Sequence, residues 1–131
     1  MNLPRPEYPR PIMRRDNWIN LNGEWEFELD PGQSGRERNM HANGVFSKKI
    51  IVPFCPESKL SGLEIKDFMP CVWYRRTFEL KELKRTLIHF GAVDYHAEVW
   101  INGHSVGTHV GGYVGFTFDI TDFVKVGVNE V

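Results

Sequence analysis

Cysteine is scarce in this sequence of 131 residues, and neither sign of charge is in surplus. Cys55 and Cys71 are too few for a disulfide scaffold and lack the paired spacing of a structural zinc site, so we expect two free thiols. Lys and Arg number 16 against 17 Asp and Glu, which gives a net charge of −1. Without a basic surplus there is no general attraction for nucleic acid or anionic membranes, and neither is predicted as a partner.

A long hydrophobic run is also missing from the beginning of the chain. The segment from Met1 to Met13 contains four prolines and no apolar stretch, so it does not have the hydrophobic region of a secretory signal. If Met1 is the true start, we expect a cytoplasmic protein. Because proline donates no backbone hydrogen bond, residues 1–17 are predicted to form an extended arm.

Helix-forming patterns are absent, and short alternating segments take their place. Only three alanines occur. From Gly23 to Asp30, alternation puts Trp25, Phe27 and Leu29 on one face of a predicted buried strand. Asn102-Gly103 then supplies the two positive-φ positions of a tight hairpin turn. The other predicted strands are Ser47–Val52, Val72–Leu80, Thr86–Val93, Tyr95–Ile101, His104–Gly107 and Phe116–Ile120.

The number and spacing of these segments indicate the fold class. About seven short strands separated by glycine and proline favour an all-β, antiparallel sandwich of the jelly-roll kind, with a closed barrel as the alternative. Pro31 to Gly44 is predicted to be a loop of unusual length. Gly127 to Val131 has the pattern of a further strand that is cut off. We therefore expect this chain to be a truncated piece of a longer protein.

Six segments follow one another along the chain, at residues 18–27, 52–62, 72–78, 90–103, 109–113 and 118–121. Together they resemble the sugar-binding domain that opens the enzymes of glycoside hydrolase family 2. The resemblance spans nearly the whole chain and is densest near its end. One departure is Gly115, where members of the family commonly carry proline, and glycine makes that loop less rigid.

The resemblance implies both an architecture and an activity. Residues 18–131 would form an incomplete, galactose-binding-domain-like jelly roll, followed in the parent enzyme by an immunoglobulin-like sandwich and a barrel. The parent would be a retaining glycosidase of the β-galactosidase/β-glucuronidase type that hydrolyses terminal β-linked sugars in carbohydrate metabolism. The family's two catalytic glutamates lie on the barrel. No catalytic residue or cofactor is therefore assigned to this chain, and alone it is expected to be inactive.

Three residues are candidates for substrate binding. His109 is predicted to lie in a glycine-rich loop, where its imidazole can bond a sugar hydroxyl. Tyr113 can present a flat ring to the apolar face of a sugar; the alternative is that Gly111 and Gly112 form a turn and Tyr113 covers the end of the sandwich. Asp94 is either a hydroxyl acceptor or a turn former, and we favour the turn former.

Other polar and aromatic residues are better explained by structure than by chemistry. Asn129-Glu130 resembles the family's acid/base motif, but it follows a glycine-containing turn at the start of a strand, which argues against catalysis. Alternation places Glu24, Glu26 and Glu28 together on a solvated face. The histidines show no metal-binding spacing, so no metal is predicted. Three tryptophans of alternating strands are interpreted mainly as packing residues: Trp25, Trp73 and Trp100.

Two functions of other classes remain open at this point. A free-standing carbohydrate-binding module would use the same fold to hold glycans without cleaving them, and exposed aromatic residues would favour it. A structural sandwich would mediate contacts in a homo-oligomer through edge strands and the long loop. The predicted partners are therefore a carbohydrate substrate, the other domains of a parent enzyme and copies of the same chain.

Overall fold

The structure, a computed structural model, describes residues 3–7 and 17–131. Most of the predicted N-terminal arm lies outside these ranges. In the described part, nine strands form antiparallel pairs and one α-helix spans four residues, so the predicted all-β antiparallel class is confirmed. The chain divides into two compact units. The first contains the residues up to Met40 and Gly44–Arg76, and the second contains His41–Asn43 and Thr77–Val131.

The first unit is built on a three-stranded sheet. Its strands are β1 (Gly23–Leu29), β2 (Lys48–Val52) and β3 (Val72–Arg75), in the order β2-β1-β3. The alternation predicted for β1 is confirmed at Trp25 and Phe27, which are buried, while Leu29 is half-buried. Because the side-chain period of a strand is two, the opposite face of β1 carries the glutamates.

The core of this first sheet is aromatic. Phe27 and Ile50 are fully buried, and the ring of Tyr74 meets Trp25 and Phe27 edge-on, with centroids 6.3 and 5.2 Å apart. Edge-to-face pairs of this kind add to the stabilisation from buried area. Burial, followed by the nearby charges of Glu57 and Cys55, raises the pKa of Tyr74 to about 12.

The second unit consists of three strand pairs. They join β4 (Thr77–Leu80) to β9 (Gly127–Glu130), β5 (Leu87–Phe90) to β8 (Phe116–Asp119), and β6 (His96–Ile101) to β7 (His104–Val110). The helix α1 (Met40–Asn43) begins in the first unit and has its last three residues in the second. The core is aliphatic and consists of Ile88, Val99, Ile101 and Ile120.

One strand prediction needs correction here. The segment Val72–Leu80 was predicted as one strand, but it forms β3 and β4 in different units, with Arg76 between them. The guanidinium of Arg76 donates hydrogen bonds to the carbonyls of Leu21 and Asn22, both at 2.7 Å. The strand predicted at the end of the chain forms as β9 and pairs with β4.

The hairpin between β6 and β7 forms as predicted. Asn102 and Gly103 have φ angles of 50° and 83°, the left-handed conformation that such a turn requires. The side chain of Asn102 also makes hydrogen bonds outside the turn. It donates one to the Phe123 carbonyl at 2.8 Å and accepts one from the Glu130 N–H at 2.9 Å. The hairpin is thereby tied to the segment that enters β9.

No helix within residues 3–7 or 17–131 has the length and hydropathy needed to cross a lipid bilayer. The described helical segments are α1 and a single 3-10 turn at Lys59–Ser61.

Candidate functional site

Two short loops of the second unit lie side by side. Residues 91–95 connect β5 to β6, and residues 111–115 connect β7 to β8; together we call them the paired loops. The Gly111 N–H donates to the Tyr95 carbonyl at 2.7 Å. A Cβ atom at Gly115 would lie 3.0 Å from the Phe90 carbonyl oxygen, so a glycine there permits close backbone approach. These contacts fix one loop against the other.

Asp94 joins the paired loops through its side chain. A Cβ atom at Gly112 would lie 2.8 Å from Asp94 Oδ1, which places the carboxylate directly against the glycine backbone. Asp94 is exposed and has no hydrogen-bond or ion-pair partner among the described residues. A carboxylate in this position retains free acceptor sites for an external donor.

The paired loops expose aromatic and aliphatic side chains. Tyr113 is fully exposed, so its ring does not cover the end of the sandwich. Val114 is also exposed, as are Tyr95 and, at the end of β7, Val110. Single exposed apolar residues are common, but four in or directly beside one pair of loops mark this region as a candidate interaction patch.

Tyr95 is a residue of this patch that sequence reasoning did not single out. It was predicted to open the strand Tyr95–Ile101, but β6 begins at His96 and the side chain of Tyr95 is 64% exposed. The periodic pattern continues for one residue beyond the strand, and periodicity alone does not show where pairing begins. The adjacent Asp94, typical of turns, is the available signal that the strand begins later.

His109 occupies a different element from the one predicted. It was placed in the glycine-rich loop, whereas it belongs to β7, which extends to Val110. Its half-buried ring stacks on Phe116 with centroids 4.3 Å apart, and Phe116 stacks on Phe90 at 4.9 Å. Nδ1 of His109 is buried without a hydrogen-bond partner in the described chain. His109 therefore supports the base of the paired loops, and its contact with a ligand stays a prediction.

In the first unit, the long loop predicted over Pro31–Gly44 is organised by one buried carboxylate. Asp30 accepts hydrogen bonds from the N–H groups of Ser34 and Gly35 at 3.0 and 2.7 Å and from the indole of Trp73 at 3.0 Å. Desolvation alone would raise the pKa of Asp30, but these bonds and that from Arg38 together hold it at about 2. A buried carboxylate with several donors is stabilised in its charged form.

The contact between this loop and Trp73 depends on a glycine, which allows a direct test. A Cβ atom at Gly35 would overlap the indole ring of Trp73, whereas at Gly32 the nearest atom would be 3.9 Å away. We expect Gly35→Ala to lower the free energy of unfolding by about 1–3 kcal/mol, because the indole must shift from Asp30. Gly32→Ala is the matched control, and urea titration followed by tryptophan fluorescence measures both. Equal stability of the two variants would contradict this packing.

Comparison with known proteins identifies the chain. Residues 19–131 match the family described as "Glycosyl hydrolases family 2, sugar binding domain". The chain belongs to this family. Two putative β-glucuronidases of Formosa agariphila are 42% and 37% identical to it over 96% and 95% of its length. A β-galactosidase of Thermoanaerobacter pseudethanolicus is 32% identical over 82% of the chain.

Solved structures similar to this family 2 domain include β-glucuronidases. One from an uncultured Clostridium species superimposes with a TM-score of 0.71 at 28% identity, covering 84% of this chain and 20% of that one. A Ruminococcus gnavus β-glucuronidase reaches 0.74 at 27% identity with the same coverage of both chains. The predicted fold and family are thus confirmed. The Formosa relatives are matched over only 10% and 15% of their own length.

The polar residues that were set aside as catalytic candidates have structural roles in this family 2 domain. Asn129 is buried and makes four hydrogen bonds, to Asn102, Gly127 and both backbone groups of Lys125. Its side chain is thus occupied within the fold. The neighbouring Glu130 pairs with Thr77 in the β4–β9 ladder.

The glutamates of β1 form contacts across the sheet instead of a carboxylate cluster. Glu24 pairs with Lys49 and Glu26 with Arg75, each at 2.6 Å. The hydrogen bond from Arg75 lowers the pKa of Glu26 despite partial desolvation. Glu24 is exposed, whereas Glu26 and Glu28 are half-buried, so the face predicted to be solvated is only partly exposed.

The remaining tryptophan, cysteine and histidine residues add no second site to the described part of the family 2 domain. Trp100 stacks on His41 of α1, with ring centroids 5.5 Å apart, and so packs within its own unit. Cys55 and Cys71 are free. No group of three or more potential metal ligands occurs among residues 3–7 and 17–131.

Proposed function

We propose that the protein to which this chain belongs is a retaining glycosidase that hydrolyses terminal β-linked sugars. The observation that carries the proposal is the family 2 match over residues 19–131. Relatives named β-glucuronidase support β-glucuronides as the substrate class. The relative named β-galactosidase makes β-galactosides the second candidate.

In this proposal the chain serves the enzyme without carrying out its chemistry. Retaining hydrolysis needs two carboxyl groups about 5 to 5.5 Å apart across the scissile bond, one as nucleophile and one as acid/base. The glutamates described above are engaged with Lys49 and Arg75 in the β1–β2–β3 sheet. The catalytic pair would lie on a barrel elsewhere in the parent protein. Asp94 and Tyr113 of the paired loops would be candidates for contact with carbohydrate outside the catalytic pair.

The direct test is hydrolysis by the complete gene product. We expect it to release nitrophenol from a nitrophenyl β-glucuronide faster than from the β-galactoside, and to form the β-anomer first, as retention requires. The 131-residue chain, assayed in parallel, should show no turnover. A complete gene product that hydrolyses neither substrate would refute the glycosidase proposal, and preference for the galactoside would reverse the choice of sugar.

The alternative of a stand-alone carbohydrate-binding module is favoured by one observation, the exposed tyrosines of the paired loops. It is distinguished by the same assay, because a module binds sugar without hydrolysing it. A structural, oligomer-forming sandwich predicts neither binding nor turnover. The cytoplasmic location also stays a prediction, which cell fractionation of the native host would test.

A further inference from the structure

The strands around the paired loops carry charge of only one sign, apart from histidine. No Lys or Arg occurs from residue 86 to residue 124, although the same stretch contains Asp94, Glu98, Asp119 and Asp122. The cation that immediately precedes it, Arg85, lies 3.4 Å from Asp119 and is thus already placed beside a carboxylate. The surface of the paired loops therefore has no guanidinium or ammonium group of its own strands to neutralise an anionic ligand.

The groups that are exposed match the two kinds of surface on a pyranose. The axial C–H bonds of a sugar ring form an apolar face that packs on aromatic rings, and Tyr113 and Tyr95 are exposed for such contact. Sugar hydroxyls donate hydrogen bonds, and the unpartnered carboxylate of Asp94 accepts them. The hydrogen bond from the Gly111 N–H to the Tyr95 carbonyl and the contact of Asp94 with Gly112 hold the two loops that carry these groups next to each other.

From these features we infer that the paired loops bind an electrically neutral pyranose and exclude a uronate. The neutral ring would stack on Tyr113 and Tyr95 and donate hydroxyl hydrogen bonds to Asp94. A uronate in the same place would set its carboxylate beside Asp94 without a compensating Lys or Arg, and like charges at short range repel. The inference rests on the proposed function only in taking carbohydrate as the ligand. If the enzyme cleaves glucuronides, the charged sugar is held by other residues.

Binding is measured by NMR titration of the isotope-labelled 131-residue chain, once dispersed spectra show that it is folded. The probes are methyl β-galactoside and cellobiose as neutral sugars, and methyl β-glucuronide as the uronate. We expect the neutral sugars to shift the amide signals of residues 91–95 and 111–115, with a Kd in the millimolar range. The glucuronide should bind about tenfold more weakly, which corresponds to a small like-charge repulsion near the surface.

Three variants separate stacking, charge and general surface effects. Tyr113→Ala should weaken neutral-sugar binding about tenfold, because it removes the most exposed ring. Asp94→Asn should reduce the difference in Kd between the neutral sugars and the glucuronide, because a neutral amide does not repel the carboxylate of the glucuronide. Phe68→Ala, which removes a 91% exposed ring of the first unit, is the matched control and should leave the titrations unchanged.

Several results would overturn the inference. One is the absence of signal changes in a folded chain at tens of millimolar neutral sugar, and another is equal or tighter binding of the glucuronide. A third is self-association that shifts the same amides as protein concentration rises and is lost in Tyr113→Ala, because the patch would then bind a second copy. These results are independent of the hydrolysis assay. Hydrolysis without neutral-sugar binding refutes only this inference, and binding without hydrolysis refutes only the glycosidase proposal.

Discussion

Replacing Asn129 with leucine should lower the free energy of unfolding by about 3 kcal/mol or more. The Asn129 side chain is buried and makes four hydrogen bonds, so an apolar replacement of similar size leaves several groups unpaired. The N–H and carbonyl of Lys125 and the carbonyl of Gly127 lose this partner. Each buried group left without a hydrogen bond costs about 1–3 kcal/mol. Urea titration followed by circular dichroism measures the loss.

The control for Asn129→Leu lies beside it on the same strand. Val128 is exposed, so Val128→Ala should change stability by no more than about 0.5 kcal/mol. A second variant, Asn102→Gly, keeps the turn conformation but removes the hydrogen bond to Asn129 Oδ1. Because the two asparagines share one network, the double variant should lose less than the sum of the single losses. Strict additivity, or a loss no larger than that of Val128→Ala, would contradict the network.

Asp30→Asn should cost on the order of 2 kcal/mol near neutral pH. The change keeps the side-chain volume but replaces one acceptor oxygen by an NH₂ group, which is a donor. If the NH₂ group takes the place of Oδ2, it faces the donors Gly35 N–H and Trp73 Nε1–H, and if it takes the place of Oδ1, it faces the Ser34 N–H. Hydrogen bonds to a charged group contribute about 1.5–3 kcal/mol each. Asp67→Asn changes an exposed carboxylate of the same unit and should have little effect.

The pH dependence of the folding stability tests whether the charge of Asp30 is responsible for this loss. The folded pKa of Asp30 is about 2, below the ordinary 3.8. The carboxylate's contribution is therefore fully present above about pH 5 and is lost as the pH falls through 3.8 towards 2. The stability difference between wild type and Asp30→Asn should shrink over that interval. A difference that stays constant down to pH 2, the folded pKa, would show that the charge of Asp30 is not what stabilises the loop.

The strand pattern could be predicted wherever local sequence determines burial or turn geometry. Alternation in β1 correctly placed Trp25 and Phe27 in the core, and Asn102-Gly103 correctly marked a hairpin because few other dipeptides adopt two positive φ angles. The division of Val72–Leu80 into β3 and β4 could not be read from alternation. The period is unbroken through Arg76, and the break depends on carbonyls more than fifty residues earlier in the chain.

The candidate site could be predicted in part, by its residue types and not by their placement. Asp94 and Tyr113 were both expected at loops, and both are exposed there. His109 was assigned to the wrong element, because its ring is held by stacking on Phe116 across strands. Tyr95 was predicted to open a strand, because the alternation continues for one residue beyond His96, where the pairing ends. Contacts between distant segments decide these details, and a single sequence does not contain them.

The division of α1 between the two units constrains how the gene can vary. Surface loops usually accept insertions and deletions freely. Here, the last part of the Pro31–Gly44 loop supplies His41, the ring that stacks on Trp100 in the second unit, while Asp30 anchors the beginning of the loop in the first. A deletion across residues 36–43 would uncover Trp100 even though it touches no strand. Recombination that exchanged the chain after Arg76 would separate Trp100 from the histidine that covers it, so family members that trade these halves must also match in this loop.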